Sequence, residues 1–198
     1  MPRGPGQLRV VAGSAGGLRL RSPKRLAIRP TQDRIKQVIF SSLGDWIVGK
    51  RVLDLYAGTG ALGIEALSRG AAACVLVEQA PEAVAVIRAN LDHCGLTGQV
   101  VRGDALRFLQ AGPGATGTFD LVLADPPYEK IRGELEGHSL LAAVRPWLPA
   151  GGRFVWEHYG GMSWKTDANP DGGWRLWRHR RYGETGLSTL EATEKPLA

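Results

Sequence analysis

The sequence predicts an α/β fold around a mostly parallel sheet. Short apolar runs alternate with segments of helical period from Lys50 onward, and a glycine-rich turn follows the first of those runs. Val52–Tyr56 reads as a buried strand entering the turn Gly58–Gly60, and the helix after it carries Leu62, Ile64 and Leu67 before Gly70. Cys74–Val77 is a second strand. Pro81 opens a helix with Val84, Ile87 and Leu91 at helical spacing, closed by Gly95. Val100-Val101 forms a third strand, and Leu106, Phe108 and Leu109 a short helix. A fourth strand spans Phe119–Ala124, a helix covers most of Leu135–Trp147, and Arg153–Trp156 is a fifth strand. Trp174–Tyr182 and Leu187–Glu191 alternate like an antiparallel pair, so the expected sheet has seven strands, the last ones antiparallel.

Ahead of this body, Leu8–Ala12 and Leu18–Leu20 flank Gly13, Gly16 and Gly17 as a hairpin. Thr31 can cap a helix whose apolar face is Ile35, Val38, Ile39 and Leu43. The expected organisation is a basic extension over residues 1–48 and an α/β domain over 49–198.

Charge follows nearly the same division. Residues 1–50 hold ten Lys or Arg against Asp33 and Asp45, a net +8 in a chain whose total is +6. A basic arm on a near-neutral body suits a polyanion, although a solvated extension would have the same composition. The 198 residues are 43% apolar, with no uninterrupted apolar run of membrane-spanning length and no signal-like N-terminus; a cytoplasmic protein, expected to be a monomer, follows. Cys74 and Cys94 do not make a disulfide framework, and the four histidines lack ligand spacing, so no metal is expected.

The chemistry concentrates at strand ends. Gly58, Gly60 and Gly63 satisfy the G-x-G-x-x-G pattern, with Glu78 twenty residues after Gly58, which by itself leaves a nicotinamide dinucleotide open as the ligand. Asp54 within the first strand and Asp104 after the third add two acids. Carboxylates at three strand ends suit a ligand with an ammonium, a ribose diol and an adenine, which is S-adenosylmethionine (product S-adenosylhomocysteine). The expected cofactor-binding residues are Asp54, Tyr56, Ala57, Gly58, Thr59, Gly60, Glu78, Gln79, Asp104, Ala105 and Asp125.

Asp125-Pro126-Pro127-Tyr128 follows the fourth strand. An exocyclic amine conjugated to a ring is a weak nucleophile. The Asp125 carboxylate and the Pro126 carbonyl can accept its two N–H bonds and aim its lone pair, while Tyr128 offers a stacking face. Asp125, Pro126, Pro127 and Tyr128 are therefore the candidate catalytic residues.

This pattern resembles the Rossmann-like amino-group methyltransferases. Arg9–Gly13, Ile28–Lys36, Phe40–Leu43 and Gly60–Arg69 resemble more particularly the bacterial 16S rRNA guanine-N2 methyltransferases of the RsmD family, over about Leu8 to Glu191. The resemblance implies methylation of guanine N2 in the small ribosomal subunit, with Glu78 on the ribose, Asp104 and Ala105 on the adenine, and Asp125–Tyr128 on the target base. Residues expected to face RNA are Arg9, Arg19, Arg21, Lys24, Arg25, Arg29, Thr31 and Arg34. Competing expectations are DNA adenine-N6 methylation, glutamine-amide methylation, a nicotinamide-dependent oxidoreductase and a non-catalytic RNA-binding module. Arg175, Arg178, Arg180 and Arg181, interleaved with Trp174 and Trp177, suit either a second RNA patch or a charged, solvated edge strand.

Overall fold

The computed structural model describes residues 8–23, 31–127, 134–160 and 173–194. Lys24, Arg25, Arg29 and Tyr128 lie outside the described residues. Seven strands, β1 (Arg51–Leu55), β2 (Ala73–Glu78), β3 (Gln99–Arg102), β4 (Leu121–Ala124), β5 (Arg153–Tyr159), β6 (Trp174–Tyr182) and β7 (Thr185–Ala192), form one sheet in the order β3-β2-β1-β4-β5-β7-β6, and the chain divides into two compact units, Met1–Asp104 and Ala105–Ala198.

In the first unit, β1 (Arg51–Leu55), β2 (Ala73–Glu78) and β3 (Gln99–Arg102) are parallel and alternate with α2 (Ala61–Ser68) and α3 (Pro81–Cys94). The strands are apolar because both faces of a parallel sheet are covered: Val52, Leu53, Leu55, Leu76 and Val77 are all fully buried. Ahead of them, α1 (Thr31–Leu43) runs into a single 3-10 turn, Gly44–Ile47.

The N-terminal hairpin forms, with Arg9 opposite Arg19 across an antiparallel bridge. The Val10 N–H donates to the Leu18 carbonyl at 2.9 Å and the Leu20 N–H to the Leu8 carbonyl at 2.8 Å. Leu8, Val10 and Leu20 are buried, while Arg9, Arg19 and Arg21 are exposed. The ribbon is therefore amphipathic, since alternate residues of an extended chain point to opposite faces.

Its turn docks on the end of α2. The Ser14 N–H caps the Ser68 carbonyl at 2.8 Å, and the Ser68 hydroxyl donates to the Ala12 carbonyl at 2.7 Å. Gly13 makes this approach possible: at φ +86° a Cβ there would lie 1.9 Å from the Ser68 carbonyl oxygen.

In the second unit, α4 (Ala105–Gln110), β4 (Leu121–Ala124), α5 (Glu134–Val144) and β5 (Arg153–Tyr159) precede the pair β6 (Trp174–Tyr182) and β7 (Thr185–Ala192). β4 and β5 are parallel; β7 is antiparallel to both β5 and β6. Trp147 centres the packing. Its ring stacks on Phe108 and Phe119 at 4.8 and 6.0 Å, and its indole N–H donates to the Leu109 carbonyl at 3.0 Å.

Several boundaries differ from the sequence expectation: Tyr56 falls outside the first strand, the last strand spans Thr185–Ala192, and three other shifts have a visible cause. The fourth strand starts at Leu121, because the Phe119 N–H leaves the ladder to reach the Trp147 carbonyl at 2.8 Å. The α-helix ends at Val144 and tightens into a 3-10 turn over Arg145–Trp147, where Pro146 has no N–H for an α-helical bond. The fifth strand continues to Tyr159 because β7 pairs along its whole length.

Candidate functional site

The parallel arrangement of β1, β2 and β3 brings their carboxyl ends to one edge of the first unit, the edge where open α/β sheets bind ligands. Tyr56 leaves β1 with φ 57°, the single non-glycine residue with positive φ among those described. The turn then closes through the Gly60 N–H to the Ala57 carbonyl at 2.7 Å and the Ala57 N–H to the Val77 carbonyl at 3.0 Å. Gly60 holds φ +79°, and a Cβ there would meet Ile64, Ile87 and Leu76 at 3.2–3.3 Å, so both backbone and packing require glycine.

Two of the expected acids organise this turn directly. Asp54, 1% exposed, accepts the Gly63 N–H at 2.8 Å and places a carboxylate at the start of α2. Glu78 accepts the Gly58 N–H through Oε2 at 2.9 Å and the Ala80 N–H through Oε1 at 2.8 Å. Glu78 remains half-exposed, so its carboxylate still faces solvent beside the turn.

The third acid, Asp104, follows β3 and is half-buried; the Gly103 N–H, just before it, is tied to the Glu78 carbonyl at 3.0 Å. Burial, and then the negative charge of Asp104, push the Tyr56 phenol up to about 12, so Tyr56 stays a neutral donor at the mouth of the turn. Thr59 is buried at the turn, and Gln79 is exposed just after Glu78. The first unit thus brings Asp54, Tyr56, Ala57, Gly58, Thr59, Gly60, Glu78, Gln79 and Asp104 to one edge.

Ala105 and Asp125–Pro127 belong to the second unit. Ala105 opens α4 and is buried. The fully buried β4 delivers Asp125 to its carboxyl end, half-buried, followed by buried Pro126 and exposed Pro127.

Among the residues expected to face RNA, Arg9, Arg19, Arg21 and Arg34 are exposed, and Thr31 opens α1. Not every cation of the arm is on the surface. Lys36 is 2% exposed, lies 3.8 Å from Glu65 Oε2 and donates to the Arg9 carbonyl. Its charge holds the hairpin rather than facing solvent.

Two residues that hold this architecture together went unrecognised in the sequence. Glu65, fully buried in α2, accepts the Val11 N–H at 2.7 Å, the Ala12 N–H at 3.1 Å and Arg69 Nε at 2.7 Å. Asn90, fully buried in α3, accepts the Arg21 N–H at 2.8 Å and donates at 3.0 Å to both the Arg21 and Thr59 carbonyls. One side chain thus ties the basic hairpin to the glycine turn. The available signal was a lone carboxylate in an apolar helix and an asparagine in mid-helix, each a costly residue unless partnered.

Among the described residues, no group of three or more metal-ligating side chains gathers, and no helix is long and apolar enough to cross a membrane.

Comparison with known proteins matches residues 8–191 to the family described as "Conserved hypothetical protein 95". The chain is 37% identical over 147 residues to Ribosomal RNA small subunit methyltransferase D of Escherichia coli, covering 73% of this chain and 71% of that one. It is 41% identical over 125 residues to the Bacillus subtilis protein YlbH, covering 62% and 68%. The solved structure of yhhF from Escherichia coli superimposes with a TM-score of 0.79 at 30% identity, covering 95% of this chain and 99% of that one.

Proposed function

The chain belongs to the Conserved hypothetical protein 95 family, that of the small-subunit rRNA methyltransferases D, and on that premise we propose that it methylates guanine N2 in 16S rRNA, using S-adenosylmethionine. The observation that carries the cofactor assignment is the occupancy of the glycine turn. In a dinucleotide site the turn amides and the helix N-terminus face a pyrophosphate. Here the Gly58 and Gly63 amides are already held by Glu78 and Asp54, and a second anion would meet two carboxylates. The same carboxylates favour a ligand with an ammonium and a ribose diol. Glu78 is assigned to the ribose hydroxyls, Asp104 and Ala105 to the adenine, and Asp54 to ordering the turn and favouring the ammonium.

When bound, the cofactor supplies an electrophilic methyl group on a sulfonium. The protein's part is to make a poor nucleophile competent. Asp125 Oδ and the Pro126 carbonyl accept the two N–H bonds of the guanine amine, which favours a pyramidal nitrogen and fixes its direction. Tyr128 is assigned the stacking face for the base. The proton lost from the amine passes first to Asp125, the nearest base in this assignment. No covalent protein intermediate and no metal enter this scheme.

The hairpin supplies the polyanion contact. Arg9 and Arg19 are directly opposed, and Arg21 lies two residues beyond Arg19 in extended chain, so all three share the solvent face of a ribbon whose other face is buried. Calorimetric titration with S-adenosylhomocysteine and with oxidised nicotinamide dinucleotide tests the cofactor reading. The first binds and the second does not; the reverse result overturns the proposal.

A further inference from the structure

The edge strand β6 carries a feature that the cofactor and target-base assignments do not use. Its partners on β7 run Arg175↔Glu191 and Leu176↔Leu190, then resume at Arg178↔Thr189, His179↔Ser188, Arg180↔Leu187 and Tyr182↔Thr185. Trp177 is the extra residue of a β-bulge, and the bulge reverses the alternation of faces along the strand. Without it, Arg175 would share a face with Trp177, His179 and Arg181. With it, Arg175, Arg178, Arg180 and Tyr182 oppose Glu191, Thr189, Leu187 and Thr185, which are alternate residues of β7 and so share one face. Residues Arg175–Arg181 are exposed throughout.

The aromatic at the bulge is embedded among cations. Arg153 of β5 lies 4.3 Å from the Trp177 ring and Arg178 lies 5.6 Å from it. Three acids share this sheet face: Glu191, paired with Arg175 at 2.6 Å, Glu157, buried in β5, and Asp125, just past the end of β4. Arg178 and Arg180 are left as surplus positive charge. An edge strand that needed charge only against edge pairing would be served by arginine on either face. Concentrating arginines with an aromatic ring on one face matches a phosphate backbone with bases beside it.

The register also fixes where this face lies within the second unit. Ala124 of β4 aligns with Trp156, Ser188 and His179, so the next row joins Asp125 to Glu157, Leu187 and Arg180. Asp125 and Arg180 are thus three strand spacings apart, about 14 Å at ~4.8 Å per spacing. A few nucleotides span that distance.

We propose that Arg178 and Arg180 of β6 form a second RNA-binding surface, which grips the phosphates of nucleotides flanking the target base; this rests on the rRNA methyltransferase reading. The test compares wild type with Arg178→Glu/Arg180→Glu and the milder Arg178→Gln/Arg180→Gln. Methylation is measured against the concentration of protein-free small-subunit rRNA and of assembled subunits, at several salt levels. The expected result is a KM for protein-free rRNA raised about tenfold by charge reversal, with kcat unchanged and the salt slope shallower by about 0.7–0.9 per arginine lost. Cofactor affinity stays as in wild type. If wild type methylates rRNA and both double variants match it in KM and salt slope, the surface is refuted while the methyltransferase reading stands. Where wild type methylates both substrates, an effect confined to assembled subunits would make the partner a ribosomal protein and overturn the RNA assignment. Failure of wild type to methylate rRNA at all would remove both.

Discussion

Glu65→Ala should loosen the N-terminal hairpin from the body at a cost readable in global stability. The carboxylate is fully buried and holds two backbone N–H groups of the hairpin, Arg69, and the buried ammonium of Lys36. Removing one partner of a buried ion pair leaves the other charge uncompensated, which costs about 3–5 kcal/mol. That is a large share of a total stability of about 5–15 kcal/mol. The unsatisfied Val11 and Ala12 amides act in the same direction. Urea unfolding followed by tryptophan fluorescence gives the global loss, and hydrogen exchange at Val11 and Ala12 reports the hairpin itself. Adding Lys36→Met to Glu65→Leu removes the stranded charge, so the double variant should recover part of what Glu65→Leu loses alone. A loss below about 1 kcal/mol for Glu65→Ala, with wild-type exchange at Val11 and Ala12, would refute the anchoring role.

Three further outcomes follow from the site and its surroundings. Glu78→Ala should weaken S-adenosylmethionine by about 2 kcal/mol, measured by calorimetry on a folded variant; unchanged affinity would take Glu78 off the ribose. Asp125→Ala should leave cofactor affinity near wild type and lower the single-turnover rate about a hundredfold or more, while Asp125→Asn keeps part of the rate because an amide oxygen still accepts; a near-wild-type rate for the alanine variant would refute the proposed mechanism. His158 is buried, its two ring nitrogens engaged by the Tyr159 carbonyl and the Ser188 hydroxyl at 2.9 and 2.8 Å. Burial, opposed by the Tyr159 carbonyl and reinforced by His179, pushes it from 6.5 down to about 4. Above pH 6.5 both states hold it neutral, whereas between 6.5 and about 4 the unfolded chain binds a proton that the folded one refuses. Stability should therefore fall by up to about 3 kcal/mol as pH drops through that window, and His158→Gln should remove most of that slope in urea midpoints. An unchanged acid slope in the variant would assign the loss elsewhere.

The β-α alternation was legible because each element carries its own period and its own stop. Gly60 and Asp54 were legible as well, since a glycine turn after a buried strand and an acid inside that strand are local signals. The roles of Glu65 and Asn90 were not, because their partners in the hairpin lie 53 to 69 residues away. Lys36 adds to the net charge of residues 1–50 although it is buried against Glu65, because composition cannot distinguish an exposed ammonium from a buried one. The β6 bulge was equally hidden: alternation along the strand predicts its faces only while the register holds, and the register breaks at Trp177.

The central claim is transfer of a methyl group to guanine N2 of small-subunit rRNA. Its most direct test incubates the purified protein with isotope-labelled S-adenosylmethionine and small-subunit rRNA lacking this modification, both protein-free and in assembled subunits. The RNA is then digested and the labelled nucleoside identified by mass. The account predicts label in N2-methylguanosine at a single position, with the label lost in Asp125→Ala. Label in N6-methyladenosine, or no label in RNA from a protein that binds the cofactor, would contradict it.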